Sequence, residues 1–260
     1  MKKIAIALSL LLLTTGCFEL DQSIELKKDM SGTADFHLGV NLEPMVVIMA
    51  QLGKEMEGKK GPLTAAELKK AKEEFKKKSK TENSKKPPTL AEAQKDMPPG
   101  IKLLDFAATE KDFGVDTKFK FAFDKLASLV NVKLPSKEGE GGDPTKKNVV
   151  DTPFEGLELI DKGKTFTIQT KPKNPAESVE KEAEENAPKM DPEMEKMMKD
   201  AFSKMRVSYR ITAPFEIVSH NAMRKEGNTL VWEYTYDEFE KMSKKGVKLE
   251  DTQVRVTFKK

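Results

Sequence analysis

Apolar side chains recur at every second position in four well-separated stretches of this chain. They are Phe36/Leu38/Val40, Phe119/Phe121/Phe123, Val207/Tyr209/Ile211 and Val254/Val256/Phe258. A spacing of two places side chains on one face of a strand, so each stretch reads as a strand with one face buried. The stretches lie near the start, in the middle and at the end, with helix-patterned segments between them. That order predicts an α+β fold: a mostly antiparallel, twisted sheet with helical, charged insertions. At 260 residues the chain is one large domain or two small ones, and a single domain over 17–260 is expected.

Turn residues divide the strands. Ile24 and Leu26 precede Asp29-Met30-Ser31-Gly32, and Phe36 and Leu38 follow it, which predicts a hairpin. Leu157 and Leu159, then Asp161-Lys162-Gly163, then Phe166 and Ile168 predict a second. Ile101 to Ala107 reads as a strand and Ala127 to Val130 as a short helical turn. Pro214 breaks one run before Phe215-Glu216-Ile217-Val218 resumes it, and Glu226-Gly227-Asn228 marks a turn. Leu230 to Tyr236 is then a strand with Trp232, Tyr234 and Tyr236 on one face, and Phe239 opens a short helix.

The first seventeen residues have a different logic. Met1-Lys2-Lys3 is cationic, and Ile4 to Leu13 is apolar except for Ser9. Thr14, Thr15 and Gly16 then lead to Cys17, the one cysteine in the chain. A basic start, an apolar run and small residues describe a secretory signal, too short for the roughly 20 residues a membrane span needs. Leu13-Thr14-Thr15-Gly16-Cys17 resembles the lipobox of bacterial lipoproteins, with Thr14 where a branched aliphatic residue is usual. That resemblance implies a signal over 1–16, diacylglyceryl and acyl modification of Cys17, and cleavage before it. Phe18 rather than Asp after the cysteine implies an outer-membrane address facing the periplasm. The plain alternative is a signal peptide with an incidental cysteine.

Composition narrows the function classes. Apolar residues make up 37% of the chain and charged residues 34%, against about 45–50% and about 25% in an average soluble domain. Part of the chain therefore lies outside any core. Loss of Lys2 and Lys3 with the signal takes the net charge from +3 to +1, which argues against a nucleic-acid partner. One cysteine and two histidines leave little for a metal, and no metal or other cofactor is expected. No G-x-S-x-G, H-E-x-x-H or phosphate-cradling glycine loop occurs, so no enzyme is expected. His37 alternates out of phase with Phe36 and Leu38, which points it to solvent. A lone histidine on a strand is more often structural than catalytic.

Two insertions carry the remaining signal. In the first, at about 41–98, Met45, Val46, Val47, Ile48 and Met49 follow Pro44, which suits a first helical turn. A helix apolar all round must be buried or packed on something other than water. Thr64-x-x-Glu67 and Thr89-x-x-Glu92 are capping boxes, and Ser79 to Pro88 reads as an exposed linker. Residues 54–86 hold twelve lysines and six glutamates. The second insertion, at about 171–204, is acidic and carries Met190, Met194, Met197, Met198 and Phe202 as one helical stripe. The stripe is core packing, a flexible apolar groove for an acyl chain or partner helix, or a thioether copper site. Without Cys or His in it, the last is disfavoured. The lysines are either a solvated face or a match for anionic headgroups. The basic and acidic segments are otherwise a lid across the sheet.

Ile211-Thr212-Ala213-Pro214-Phe215-Glu216-Ile217-Val218-Ser219-His220-Asn221-Ala222 is followed by Gly227-Asn228-Thr229-Leu230-Val231-Trp232. The pattern resembles the LppM-like domain of bacterial envelope lipoproteins, over residues 17–40 and 205–258. The resemblance implies a membrane-tethered domain, with lipid or glycolipid binding proposed for some members, and brings no catalytic residues. Members often end in a membrane helix; Val254 to Lys260 leads us to expect none here, leaving Cys17 as the anchor. The expected protein is thus a monomeric, lipid-anchored, non-enzymatic envelope lipoprotein. Its candidate apolar ligand face is Met45, Val46, Val47, Ile48, Met49, Met194, Met197, Met198 and Phe202. The alternative is an assembly module that binds another envelope protein through its charged helices.

Overall fold

The computed structural model describes residues 18–59, 61–82, 89–133, 153–154, 156–170, 192–244 and 253–260. The predicted leader, Cys17, the loop expected at 135–147 and Met190 lie outside the described residues. The strands form two sheets. The larger has β1 (Phe18–Leu26), β2 (Gly32–Asn41), β3 (Ile101–Lys111), β4 (Gly114–Phe123), β7 (Arg206–Thr212), β9 (Arg224–Glu226) and β10 (Thr229–Thr235). Their spatial order is β3-β4-β2-β1-β7-β10-β9. All neighbours are antiparallel except β1 and β7, which run parallel. The smaller sheet orders β5 (Leu157–Asp161), β6 (Thr165–Thr170), β11 (Arg255–Lys259) and β8 (Glu216–His220) as β5-β6-β11-β8, all antiparallel. The α+β architecture with mostly antiparallel pairing is therefore the one observed.

The first hairpin has the register its alternation predicts, with Leu26 opposite Gly32 and Phe18 opposite Val40. Asp29 closes its turn by accepting from the Ser31 backbone N–H (3.0 Å) and hydroxyl (2.7 Å). A Cβ on Gly32 would sit 2.0 Å from the Glu25 carbonyl oxygen, so only glycine fits beside β1 at that point.

Helices fill the insertions. They are α1 (Glu43–Met56), α2 (Ala65–Glu82), α3 (Leu90–Lys95), α4 (Pro192–Phe202) and α5 (Tyr236–Lys244). A 3₁₀ turn spans Leu126–Asn131, where a short helical turn was expected. Both capping boxes form. Thr64 accepts from the Glu67 N–H at 3.3 Å while Glu67 accepts from the Thr64 N–H at 2.7 Å, and Thr89 and Glu92 repeat the exchange. The linker expected at 79–88 is corrected over 79–82, where α2 continues to Glu82; residues 83–88 lie outside the described residues. The strand expected to reach Tyr236 stops at Thr235. Tyr236 instead opens α5 and stacks on Phe202 at 6.2 Å.

The inner faces of the two sheets share one core. Phe119, Phe121 and Phe123 from β4 belong to it with Phe166, Ile168, Val256 and Phe258 of the smaller sheet and the fully buried Trp232 of β10. The Trp232 indole N–H donates to Asn221 Oδ1 at 2.9 Å. The same oxygen accepts from the Arg255 backbone N–H at 2.9 Å, and Asn221 Nδ2 donates to the Gln253 carbonyl. One side chain thus ties the larger sheet to β11 of the smaller. Replacing it by Asn221→Ala removes these bonds and should cost about 1–2 kcal/mol of stability. Urea unfolding followed by the fluorescence of Trp232 measures this, and an unchanged midpoint would refute the clasp.

Candidate functional site

Helices gather at one end of the larger sheet. β1 enters there at Phe18, beside Val40 at the end of β2 and near Arg206 at the start of β7. α1 follows β2 after Leu42, whose N–H donates to Phe113 O (2.6 Å) in the β3–β4 turn. α4 leads into β7 and packs on α1. α5 follows β10 and meets α4 through the Phe202–Tyr236 stack and the Lys199–Glu240 pair at 3.2 Å. α2 is fastened to α1 and to the same turn. Lys54 bonds Pro62 O and Glu67 (both 2.9 Å), Lys72 pairs with Glu43 (2.6 Å), and Phe75 stacks on Phe113 (5.9 Å). The Thr64 backbone N–H, with Lys54 and the Thr64 hydroxyl, pulls the Glu67 carboxyl down to about 2.

The candidate apolar residues fall in this cluster but do not form one continuous face. Residues consecutive on a helix point in different directions, about 100° apart. Val46 and Ile48 are buried, Met45 and Val47 are half-buried, and Met49 is 67% exposed. Met197, Met198 and Phe202 are half-buried on α4, the helix packed against α1; the side chain of Met194 is outside the described residues. The expectation that α1 is wholly buried or packed therefore holds for one face only. Met49, Leu52 and Met56, with Leu42 before the helix, are exposed. Met49, Leu52 and Met56 make an exposed stripe of helical spacing, while Gln51 on another side of the helix is buried. Trp232 and Tyr234, two of the three aromatics expected on one strand face, are buried. Burial pushes the Tyr234 phenol up to about 12.

The other face of the sheet carries a network that the sequence reading did not find. Arg206 on β7 bonds Glu19 and, at 2.9 Å, Asp21 on β1. Asp21 lies 3.4 Å from His37 Nδ1 on β2, His37 Nε2 lies 3.3 Å from Asp116 on β4, and Asp116 pairs with Lys111 on β3 at 3.2 Å. A chain of polar and charged side chains thus crosses five strands. His37 is on the predicted face, but it is held between two carboxylates and is only 21% exposed, a correction to its solvent-facing assignment. The signal was the cross-strand register, which a single strand's alternation does not contain. His220 is exposed and accepts the Ala222 N–H, a turn role.

Glu19, Asp21 and His37 bring three ligand atoms within 4.8 Å of one another. Arg206 already occupies both carboxylates, so the donor set is that of an ion pair and does not fit a resident metal. Beside it lies a groove of about 400 Å³ lined by Asp35, His37, Asp105, Lys118, Lys120 and Arg210. Its charges are of both signs and partly self-neutralised, as in Asp35–Lys120 at 3.3 Å.

Burial works against the charged form of both Asp116 and Arg206. In each case partners outweigh that cost: Lys111 and His37 hold Asp116 below the usual carboxylate range, and Glu19 and Asp21 raise Arg206. A lowered carboxyl stabilises the fold above the unfolded pKa of about 3.9 and loses that contribution as pH falls through the folded value. Asp116→Asn should therefore lower the urea midpoint at about pH 7, with the gap to the parent narrowing below about pH 4. A gap constant with pH would show that ionisation of Asp116 contributes nothing.

No protein-family model matches the chain, and no curated protein matches it. Among solved structures, the folded domain of the Mycobacterium tuberculosis LppM protein, determined by NMR, is similar with a TM-score of 0.41. The two share 9% identity over 94% of this chain and 88% of that one. A likeness of that size carries no argument about family or activity.

Proposed function

We propose that this protein is a bacterial envelope lipoprotein, anchored through Cys17 in the outer membrane facing the periplasm, and that its work is binding rather than catalysis. In this reading a lipid or glycolipid chain rests on the apolar surface where α1 meets α4, against Met45, Met197, Met198 and Phe202. The observation that carries it is positional. β1 begins one residue after Cys17, and the half-buried methionines lie at that same end of the sheet. Methionine suits such a surface because its unbranched, polarizable side chain adapts to irregular apolar partners. Two or more acyl chains on one residue give stable anchorage, whereas one chain binds only marginally.

A second reading has an observation of its own. α2 exposes Lys69 and Lys70, each in only a long 3.9 Å pair within the helix. Such a surface offers charge to a partner protein in an assembly role.

The full chain, expressed in a bacterial host, should fractionate with membranes and incorporate an alkynyl palmitate label. Cys17→Ala should abolish the label and release the protein. Native mass spectrometry of the gently solubilised protein should then show a co-purifying acyl species at fixed stoichiometry. Absence of the label would end the lipoprotein reading. A labelled protein with no bound lipid would favour the partner-binding role.

A further inference from the structure

We propose that the exposed stripe of α1, Met49, Leu52 and Met56, is a second membrane contact that lies on the bilayer surface and sets the orientation of the domain. The inference rests on the Cys17 anchor. It concerns other side chains than the half-buried ones proposed to line the α1–α4 surface.

Three observations lead there. The first is where the described chain starts. Consecutive Cα atoms are about 3.8 Å apart, so the lipidated residue lies within one such step of Phe18. The end of the sheet bearing Phe18 is therefore pressed against the headgroups. α1 starts at that end, three residues after Val40, the β2 residue that completes the pairing of β1 and β2.

The second is the surface itself. Met49 is 67% exposed and Met56 89%, with Leu42 and Leu52 exposed beside them. Elsewhere on the helix Val46, Ile48 and Gln51 are buried and Lys54 pairs with Glu67. An amphipathic helix of this kind buries its apolar face about 5–10 Å into the headgroup and acyl boundary.

The third is charge. α2, packed on α1, holds six lysines against three glutamates between residues 65 and 78. Each cation near an anionic leaflet adds attraction of the sign required. By contrast, Val218 on β8 is exposed but lies past the far end of β7, and is expected to stay in water.

The test uses the lipidated full chain. Once Cys17 is a thioether, an introduced cysteine is the one free thiol and takes an environment-sensitive dye. Met49→Cys, Met56→Cys and Val218→Cys proteins are labelled and reconstituted in vesicles of phosphatidylethanolamine and phosphatidylglycerol containing nitroxide-labelled phosphatidylcholine. Dyes at 49 and 56 should be blue-shifted and quenched at least about threefold more than at 218, given the insertion depth of such helices. Adding Leu52→Glu to the Met56→Cys chain should reduce quenching to the level at 218, with the near-ultraviolet signal of Trp232 unchanged. Equal quenching at 56 and 218 in acylated protein overturns the docking surface and leaves the anchor intact. Shielding at 56 without lipid quenching, together with cross-links between copies, overturns it in favour of self-association. Absence of acylation removes the anchor and the docking surface with it.

Discussion

The burial of Trp232 between the two sheets, with its indole N–H satisfied by Asn221, is the constraint on which the rest of this fold depends. A fully buried indole nitrogen without a partner costs about as much as a lost hydrogen bond. Asn221 prevents that cost, and its other bonds go to Arg255 and Gln253 at the edge of β11. The stretch after Ile211 must therefore leave the larger sheet, run as β8 beside β11, and return through β9 to β10. With that crossing in place, Phe166, Phe215 and Phe258 close over the inner face; Phe166 and Phe258 stack at 5.2 Å and Phe166 meets Phe215 edge-on at 5.0 Å.

The two ends of the larger sheet then acquire different characters. At the far end the strands are capped by the second sheet and by α3, whose Gln94 accepts the Leu103 N–H at 2.6 Å. At the near end they run into α1, α4 and α5, where Met49, Leu52 and Met56 are exposed. On the outer face the chain of polar and charged contacts from Arg206 to Lys111 links five strands of the larger sheet. Partial burial makes each unpaired member costly, so the network favours the native order of strands over alternatives that would separate opposite charges. It supplies register to the end of the sheet that carries the helices, and so positions α1.

The strands and capping boxes were legible because their causes are local. Alternation at Phe119, Phe121 and Phe123 needs no distant partner to be read, nor does Thr64 three residues before Glu67. Residues 79–82 were expected in a linker and are helical, because polar lysine-rich sequence looks the same in a solvated helix as in a loop. α2 continues to Glu82 on helix propensity and its packing against α1. Tyr236 was assigned to a strand by parity, but Phe202 provides a stacking partner that turns it into the first residue of a helix. The pairing of His37 with Asp21 and Asp116 depended on contacts between strands 16 and 79 residues apart in sequence.

By itself the sequence determined the α+β character, the hairpin turns, the helix starts and the clustering of apolar residues in one helical segment after β2. Each of these follows from spacings of two to four residues or from the chemistry of one turn. Tertiary structure alone decided that the strands divide into two sheets, that β1 and β7 lie parallel, and that the run Met45 to Met49 is split between a buried side and an exposed one. Those outcomes depend on which surfaces meet after hundreds of residues of intervening chain have been placed. Helical periodicity says that a helix has two sides, but only its neighbours determine which side is covered.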